Sequence, residues 1–142
     1  QVVVNGKKEF IGSNKSKLIS AIEEQLNEKP AASIKLKAIQ NNSGKIEVSY
    51  STAGGDSKNT QLILLLVQKI ASNKINRGEN EGKTLHHINI VREISYLSSN
   101  STETMIAFDI PSGLSKEELF AAGFIQDKRS GKIKGIQFSS IE

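Results

Sequence analysis

The 142-residue sequence contains no cysteine, and this absence excludes several kinds of chemistry. Without a thiol the chain can form no disulfide, supply no thiolate nucleophile and bind no zinc ion through cysteine. Tryptophan is also absent and aromatic residues make up only 5% of the chain, so a core must be built from Ile, Leu and Val. Any function of this chain therefore works without thiol redox chemistry of its own.

Long apolar runs are missing as well. The longest run, 62–67, has the length of a strand, whereas a membrane-spanning helix needs about 20 apolar residues. No charged segment followed by an apolar one opens the sequence, so we expect no signal peptide in this chain. The net charge is +4, but lysines alternate with acidic residues along the whole chain. This pattern favours solubility, and we predict neither a membrane span nor a nucleic-acid partner.

The first 29 residues read as strand, tight turn, strand and helix. Val2–Val4 is followed by Asn5-Gly6, the strongest short hairpin signal, because a type I′ turn needs positive φ at both central residues. A short strand at Phe10-Ile11 follows, and Ser13 or Asn14 can cap an amphipathic helix of about 14 residues. Pro30 ends this helix. Two short strands and one helix cannot bury a core alone, so we expect another chain segment to cover them.

From residue 32 onward the apolar residues recur at period 2. Alternation at 34–38 and 46–50 predicts strands, and "STAGGDSKNT" (51–60) predicts the loop before a long strand at 61–70. Residues 71–83 predict a polar loop, and Thr84–Ser98 a strand long enough to need a bend or a bulge. Further strands are predicted at 104–110, 119–127 and 132–141, with one capped helical turn at "SKEE" (115–118). About seven strands at this spacing indicate a mainly β domain, 32–142, forming an immunoglobulin-like antiparallel β-sandwich.

Two adjacent histidines, His86 and His87, raise the question of a metal site. Neighbouring side chains on a strand point to opposite faces, so this pair cannot easily share one ion. A zinc site would need carboxylates such as Glu79, Glu81 or Glu93, since the chain has only two histidines. The alternative is structural: one histidine is a satisfied polar group and the other faces water.

A second group of polar residues lies around the same strand. Arg77, Glu79, Asn80, Asn89 and Arg92 would form either a polar site, with Arg92 binding a carboxylate, or a loop that fixes its own geometry and contacts a neighbouring domain. A serine hydrolase is not indicated, because no G-x-S-x-G turn occurs. We predict no catalytic residue and no cofactor for this chain.

Two stretches resemble a known family. "VVVNGKKEFIGSNKSKLISAIEEQL" (2–26) resembles the closing β-β-α unit of a thioredoxin fold, and "NRGENEGKTLHHINIVREI" (76–94) with "GFIQDKRSGKIKGIQ" (123–137) resembles the C-terminal β-domain of secreted bacterial thioredoxin-like proteins of unknown function. The resemblance implies a secreted or periplasmic location. It also implies an incomplete thioredoxin-like domain at 1–29, whose cysteine-bearing half is absent from this chain.

Three functions follow as hypotheses. The first is a non-catalytic binding or structural portion of a thioredoxin-like protein. Its partner would be the missing half, or a neighbouring or swapped chain, covering an apolar set of five residues: Val2, Val4, Leu18, Ile22 and Leu26. The second is the C-terminal fragment of a thiol-disulfide oxidoreductase. The third is binding of a metal or small ligand in the 77–92 region.

Overall fold

The computed structural model describes residues 1–56, 58–99 and 104–142. In chain order the elements are β1 (Val2–Val4), β2 (Lys8–Phe10), α1 (Lys15–Asn27), β3 (Ala32–Gln40), β4 (Ile46–Gly54), β5 (Thr60–Lys74), β6 (Thr84–Ser98), β7 (Met105–Phe108), β8 (Leu119–Asp127) and β9 (Ile133–Ser140), with a 3-10 turn at Lys116–Glu118. The paired strands are antiparallel, which confirms the prediction of a mainly β protein with antiparallel sheets. The predicted loop at 51–60 is shorter than expected, and its residue 57 lies outside the described residues.

The amino-terminal unit forms β1, β2 and α1 in the predicted order, but the strand predicted at Phe10-Ile11 is Lys8–Phe10 and leaves Ile11 outside it, 77% exposed. Asn5 has φ 53° and Gly6 has φ 67°, as a type I′ turn requires. Of the two possible caps it is Asn14 that serves, because its side-chain oxygen accepts a hydrogen bond from the Lys17 backbone at 3.1 Å. The helix ends at Asn27, before Pro30 can interrupt it.

Two sheets enclose the core. One has the strand order β3-β4-β7 and the other β6-β5-β8-β9. Alternate residues of each sheet point inward, because side chains alternate across a strand. The fully buried large side chains come from both sheets: Ile46, Val48, Leu62, Leu64, Leu66, Leu119 and Ile125. At one edge the end of β9 reaches β3, where Ala38 and Ile141 form a parallel bridge and Gln40 N donates to Glu142 O at 3.0 Å.

The strands β5 and β6 extend well beyond this sandwich. β5 pairs with β8 only as far as Gln68, opposite Leu119, whereas its pairing with β6 continues to Lys74. Residues 69–74 and 84–90, with the loop between them, therefore form a projecting two-stranded arm. The prediction of a loop at 71–83 was wrong for 71–74. Ser72, Asn73 and Lys74 are polar because the arm has no core beneath it, and consecutive polar residues indicate a loop.

Two other predictions concern local details of the sandwich. The bulge expected in 84–98 is confirmed: Leu66 pairs with Glu93 and Val67 with Val91, which leaves Arg92 as the extra residue. The predicted helical turn is a 3-10 turn, in which the Ser115 backbone donates to the Glu118 carboxylate at 3.0 Å.

Candidate functional site

The loop 75–83 closes the tip of the arm and carries three of the predicted polar residues. Its backbone is held by two hydrogen bonds of 2.9 Å, from Ile75 N to Lys83 O and from Gly82 N to Ile75 O. The side chain of Asn80 accepts a hydrogen bond from Lys83 Nζ at 3.0 Å. Arg77 and Glu79 are exposed to solvent. The loop thus fixes its own backbone and presents two opposite charges to water.

The two histidines lie on the arm beside this loop. His86 is opposite Ser72 on β5, and Ser72 Oγ is 2.8 Å from His86 Nδ1. His87 is opposite Ala71, on the other face of the arm. In the part of the chain that the structure describes, no three His, Cys, Asp or Glu side chains meet in a group that could hold a metal ion. His86 and His87 stay candidate ligands on sequence grounds alone.

Arg92 lies at the bulge of β6, far from the arm tip. Its guanidinium donates two hydrogen bonds to Gln68 Oε1, the one from Nε measuring 2.8 Å. Gln68 is only 5% exposed, so Arg92 satisfies a buried acceptor. From Val67, near the bulge, to Ile75 at the tip the arm spans about 26 Å, at about 3.3 Å per strand residue.

Asn89 lies between these positions, on β6, with the left-handed φ of 54°. The structure therefore brings Arg92 to Gln68 and separates it from Arg77, Glu79 and Asn80. A single pocket cannot use both ends of this span. A role for either end at an interface stays a prediction.

A different contact joins the amino-terminal unit to the sandwich. The Asn5-Gly6 turn packs on the turn between β8 and β9, where Ile133 N donates to Asn5 O at 3.1 Å. A Cβ atom on Gly6 would lie 2.0 Å from Gly131 O, so the two turns meet backbone to backbone. Lys132 pairs with Glu28 beside this contact, and its hydrogen bond lowers the pKa of the Glu28 carboxyl.

A cleft of about 660 Å³ separates α1 from strands β3 and β9. Its apolar lining comes from both sides, with Ile22, Leu26 and Pro30 facing Ile34, Ile133 and Ile136. Leu26 is 78% exposed and Ile22 41%, while Leu18, Val2 and Val4 are half-buried. The central residue of β1, Val3, is 58% exposed. The surface predicted to need a cover is thus partly open within this chain.

Sequence reasoning missed the turn-to-turn contact, the cleft and the partner of Arg92. Each joins residues far apart in the chain, and periodicity reports only local structure. The sequence has one weak signal that Gln68 is buried and needs a polar partner: this polar residue directly follows the apolar run 62–67.

The fold and these surfaces define a mainly β, two-sheet protein with an appended β-β-α unit and open apolar faces. The chain belongs to the family described as "Protein of unknown function (DUF1223)", whose sequence profile matches residues 1–126. The part of the predicted resemblance that named a family of unknown function is confirmed, and the thioredoxin-like identity stays a prediction.

Among solved structures, the chain is similar to a domain of the outer membrane lipoprotein Omp28 from Porphyromonas gingivalis. The two share 14% identity with a TM-score of 0.46, and the match covers 79% of this chain and 96% of that one. No curated protein matches the chain. Within the described residues, no helix is long and apolar enough to cross a membrane.

Proposed function

We propose that this chain is the non-catalytic binding and structural portion of a secreted or periplasmic thioredoxin-like protein. Residues 1–29 would complete a thioredoxin-like domain, and residues 32–142 would form an immunoglobulin-like sandwich that positions it. The observation that carries the proposal is the open apolar surface of the amino-terminal unit, at Val3, Ile22 and Leu26.

The local anatomy of this unit supports a larger sheet. Among the described residues, β1 pairs only with β2, so one edge of β1 is free for another strand. A two-stranded hairpin is marginally stable in water unless more strands or a helix cover it. α1 packs on the hairpin with Ala21 buried, yet leaves Leu26 78% exposed. A neighbouring thioredoxin-like half would both extend this sheet and cover its open face.

The strand arrangement supports the immunoglobulin-like assignment. Three strands in the order β3-β4-β7 and four in the order β6-β5-β8-β9 make two antiparallel sheets whose inner faces share one core. The chain changes sheet between β4 and β5, between β6 and β7 and between β7 and β8, as sandwich folds with crossing connections do.

The first test reads the gene upstream of the Gln1 codon. A thioredoxin-like half encoded there supports the proposal, and a start codon close to Gln1 would overturn it. A Cys-x-x-Cys motif in that half would favour the oxidoreductase alternative, which thiol-disulfide exchange by the longer protein would then establish.

The second test measures docking directly. The upstream half, produced as a separate polypeptide, is titrated into this chain by calorimetry. Leu26→Glu should weaken binding at least tenfold, because it places a charge in the apolar contact. Ile39→Glu is the matched control, since Ile39 is an exposed apolar residue of β3, outside this unit. Equal binding by both variants would show that α1 is not the docking surface.

A further inference from the structure

The outer face of the four-stranded sheet is apolar across all four strands. The register aligns three rows of side chains on this face. The first row contains Tyr96, Ile63, Phe124 and Ile136; the second contains Ile94, Leu65, Ala122 and Phe138; the third contains Val91, Val67, Phe120 and Ser140. Eleven of these twelve positions are apolar. The opposite faces of the two central strands, β5 and β8, already form the core, so this is a second apolar layer.

The outer face of the three-stranded sheet is mostly polar, as is usual for a sheet face that meets water. Its outward residues on β3 and β4 are mostly polar: Ser33, Lys35, Lys37, Glu47, Ser49 and Ser51. A sandwich strand that meets water on one face alternates polar and apolar residues. β3 and β4 do so, whereas the run Leu62–Val67 in β5 is apolar on both faces. Strands of that kind are typical of sheets covered on both sides.

The apolar layer is exposed at its borders and closed at its centre. Tyr96 is 64% exposed, Phe138 57% and Ile136 55%, while Ile63 and Val67 between them are 3% exposed. Phe120 and Phe138 meet edge to face with ring centroids 6.0 Å apart. The layer ends at polar residues, with Gln61 bonded to Gln126 on one side and Lys69 on the other. Polar residues thus border the layer along the strand direction, as a polar rim borders the centre of a protein interface.

The size of the layer suits a protein partner. Four strands about 4.8 Å apart and three rows about 6.8 Å apart span roughly 400 Å² in flat projection. Apolar patches of about 300–600 Å² on a monomer are often functional. At about 400 Å² per partner the layer has the size of a weak or transient association, smaller than the roughly 600 Å² of a standard interface.

We propose that this outer face binds the same face of a second copy of the chain, giving a symmetric dimer in which two four-stranded sheets pack face to face. None of the twelve positions carries a charge, so a two-fold axis brings no like charges together within the layer. For the same reason the face offers nothing to hold a charged ligand or polyanion. Sheet-on-sheet packing at about 10 Å already occurs inside each copy, and the dimer would repeat it.

Sedimentation of the whole chain between micromolar and millimolar concentration tests the dimer. We expect a monomer-dimer equilibrium that Tyr96→Asp and Phe138→Asp each weaken at least tenfold. Met105→Asp should leave it unchanged, because Met105 is 53% exposed but lies on the outer face of the three-stranded sheet. A chain that stays monomeric throughout would overturn the proposal. So would a dimer that loses affinity equally with Met105→Asp.

A cross-linking measurement covers the case in which an aspartate variant unfolds. The chain has no cysteine, so Ser140→Cys in the third row introduces a single thiol. A short bifunctional maleimide should link two Ser140→Cys chains and leave Ser49→Cys chains, on the opposite outer face, unlinked. Equal linking of both would overturn the proposal. Val3→Glu separates this inference from the proposed function, because Val3 is 58% exposed on the amino-terminal unit and does not line the cleft that Leu26 shares with Ile136. It should spare the dimer, and loss of the dimer there would place self-association on the amino-terminal unit instead.

Discussion

Gly6 is the residue at which the amino-terminal unit approaches the sandwich most closely. Its φ of 67° already favours glycine, and an added Cβ would lie 2.0 Å from the carbonyl oxygen of Gly131. Because the backbone fixes the position of a Cβ and the oxygen belongs to the backbone, no side-chain rotation can relieve the contact. We expect Gly6→Ala to lower the free energy of unfolding by more than about 1 kcal/mol and to speed amide exchange in α1.

Gly44 provides the control for that substitution. It has φ 80°, and an added Cβ would meet nothing within 4 Å. Gly44→Ala therefore introduces the strain of a left-handed alanine without the collision. Urea unfolding of both variants separates the two effects. If Gly6→Ala loses no more stability than Gly44→Ala, the turn-to-turn contact does not hold the unit to the sandwich.

Asp127 stabilises the turn between β8 and β9, which is the turn that contacts Gly6. Its carboxylate accepts hydrogen bonds from Ser130 N and Ser130 Oγ, both at 2.9 Å, and lies 3.3 Å from Lys134 Nζ. The bonds from Ser130, then Lys134, hold the pKa of Asp127 well below its ordinary value of 3.8. A depressed folded pKa means stability that is fully present above the unfolded pKa of about 3.9 and is lost as pH falls below it.

Asp127→Asn should consequently lower the urea midpoint at pH 7. The difference in urea midpoint between the variant and the parent protein should become smaller below about pH 4. Urea unfolding at pH 7, 5 and 3 measures this. Asp109→Asn is the control, because Asp109 is 73% exposed and pairs with Lys45 at the surface. An exposed ion pair of this kind contributes little to the free energy of unfolding. If the difference in urea midpoint between Asp127→Asn and the parent does not change with pH, the ionised Asp127 carboxylate is not the source of the stabilisation.

At the scale of elements, the alternation of apolar and polar residues predicts a strand wherever one face of the strand is buried and the other is exposed to solvent. β6 and β8 have the predicted bounds, Thr84–Ser98 and Leu119–Asp127, and β3 and β4 alternate as expected. β5 was predicted too short, since its last residues cover no core and are polar. The length of β6 predicts a bulge. The length does not predict where the bulge lies, because its position depends on the register between β5 and β6.

That bulge leads to a prediction about Arg92. Gln68 is 5% exposed and its side-chain oxygen is bonded by the Arg92 guanidinium. Arg92→Met keeps the length of the side chain and leaves this buried acceptor without its donor, which should cost about 1–3 kcal/mol. Thermal unfolding measures the loss, and the double variant Arg92→Met with Gln68→Leu should recover part of it.

Arg77→Met is the comparison, because Arg77 is exposed at the arm tip. It should change stability by less than about 0.5 kcal/mol. If Arg92→Met is equally harmless, Arg92 is not a structural residue, and a binding role for it gains weight.

At the scale of the whole molecule, the sequence predicted the strands but not how they combine into surfaces. The arm, the cleft beside α1 and the outer apolar layer each depend on register between distant strands. The run 62–67 contained the strongest clue, since an apolar strand without alternation implies cover on both faces. The candidate polar residues lie along one hairpin, whose span of about 26 Å the sequence does not predict because the polar residues 71–83 indicate a loop.

The arm also makes the fold modular, which allows a direct test. Ile70 and Ile88 lie opposite each other, just beyond the end of the β5-β8 pairing. Replacing residues 71–87 by Asn-Gly should close a two-residue hairpin there and leave both sheets intact. We expect the free energy of unfolding to change by less than about 1 kcal/mol, since the arm covers no core. Leu64→Ala, in the core, should cost about 2–5 kcal/mol and calibrates the assay.

The shortened chain also separates the candidate roles, because it lacks His86, His87 and the whole tip loop while retaining Arg92 and the outer apolar layer. Circular dichroism and sedimentation should show a folded protein with the self-association of the parent. An unfolded product would mean that the arm stabilises the sandwich. A folded product with altered self-association would move the interface from the outer sheet face to the arm.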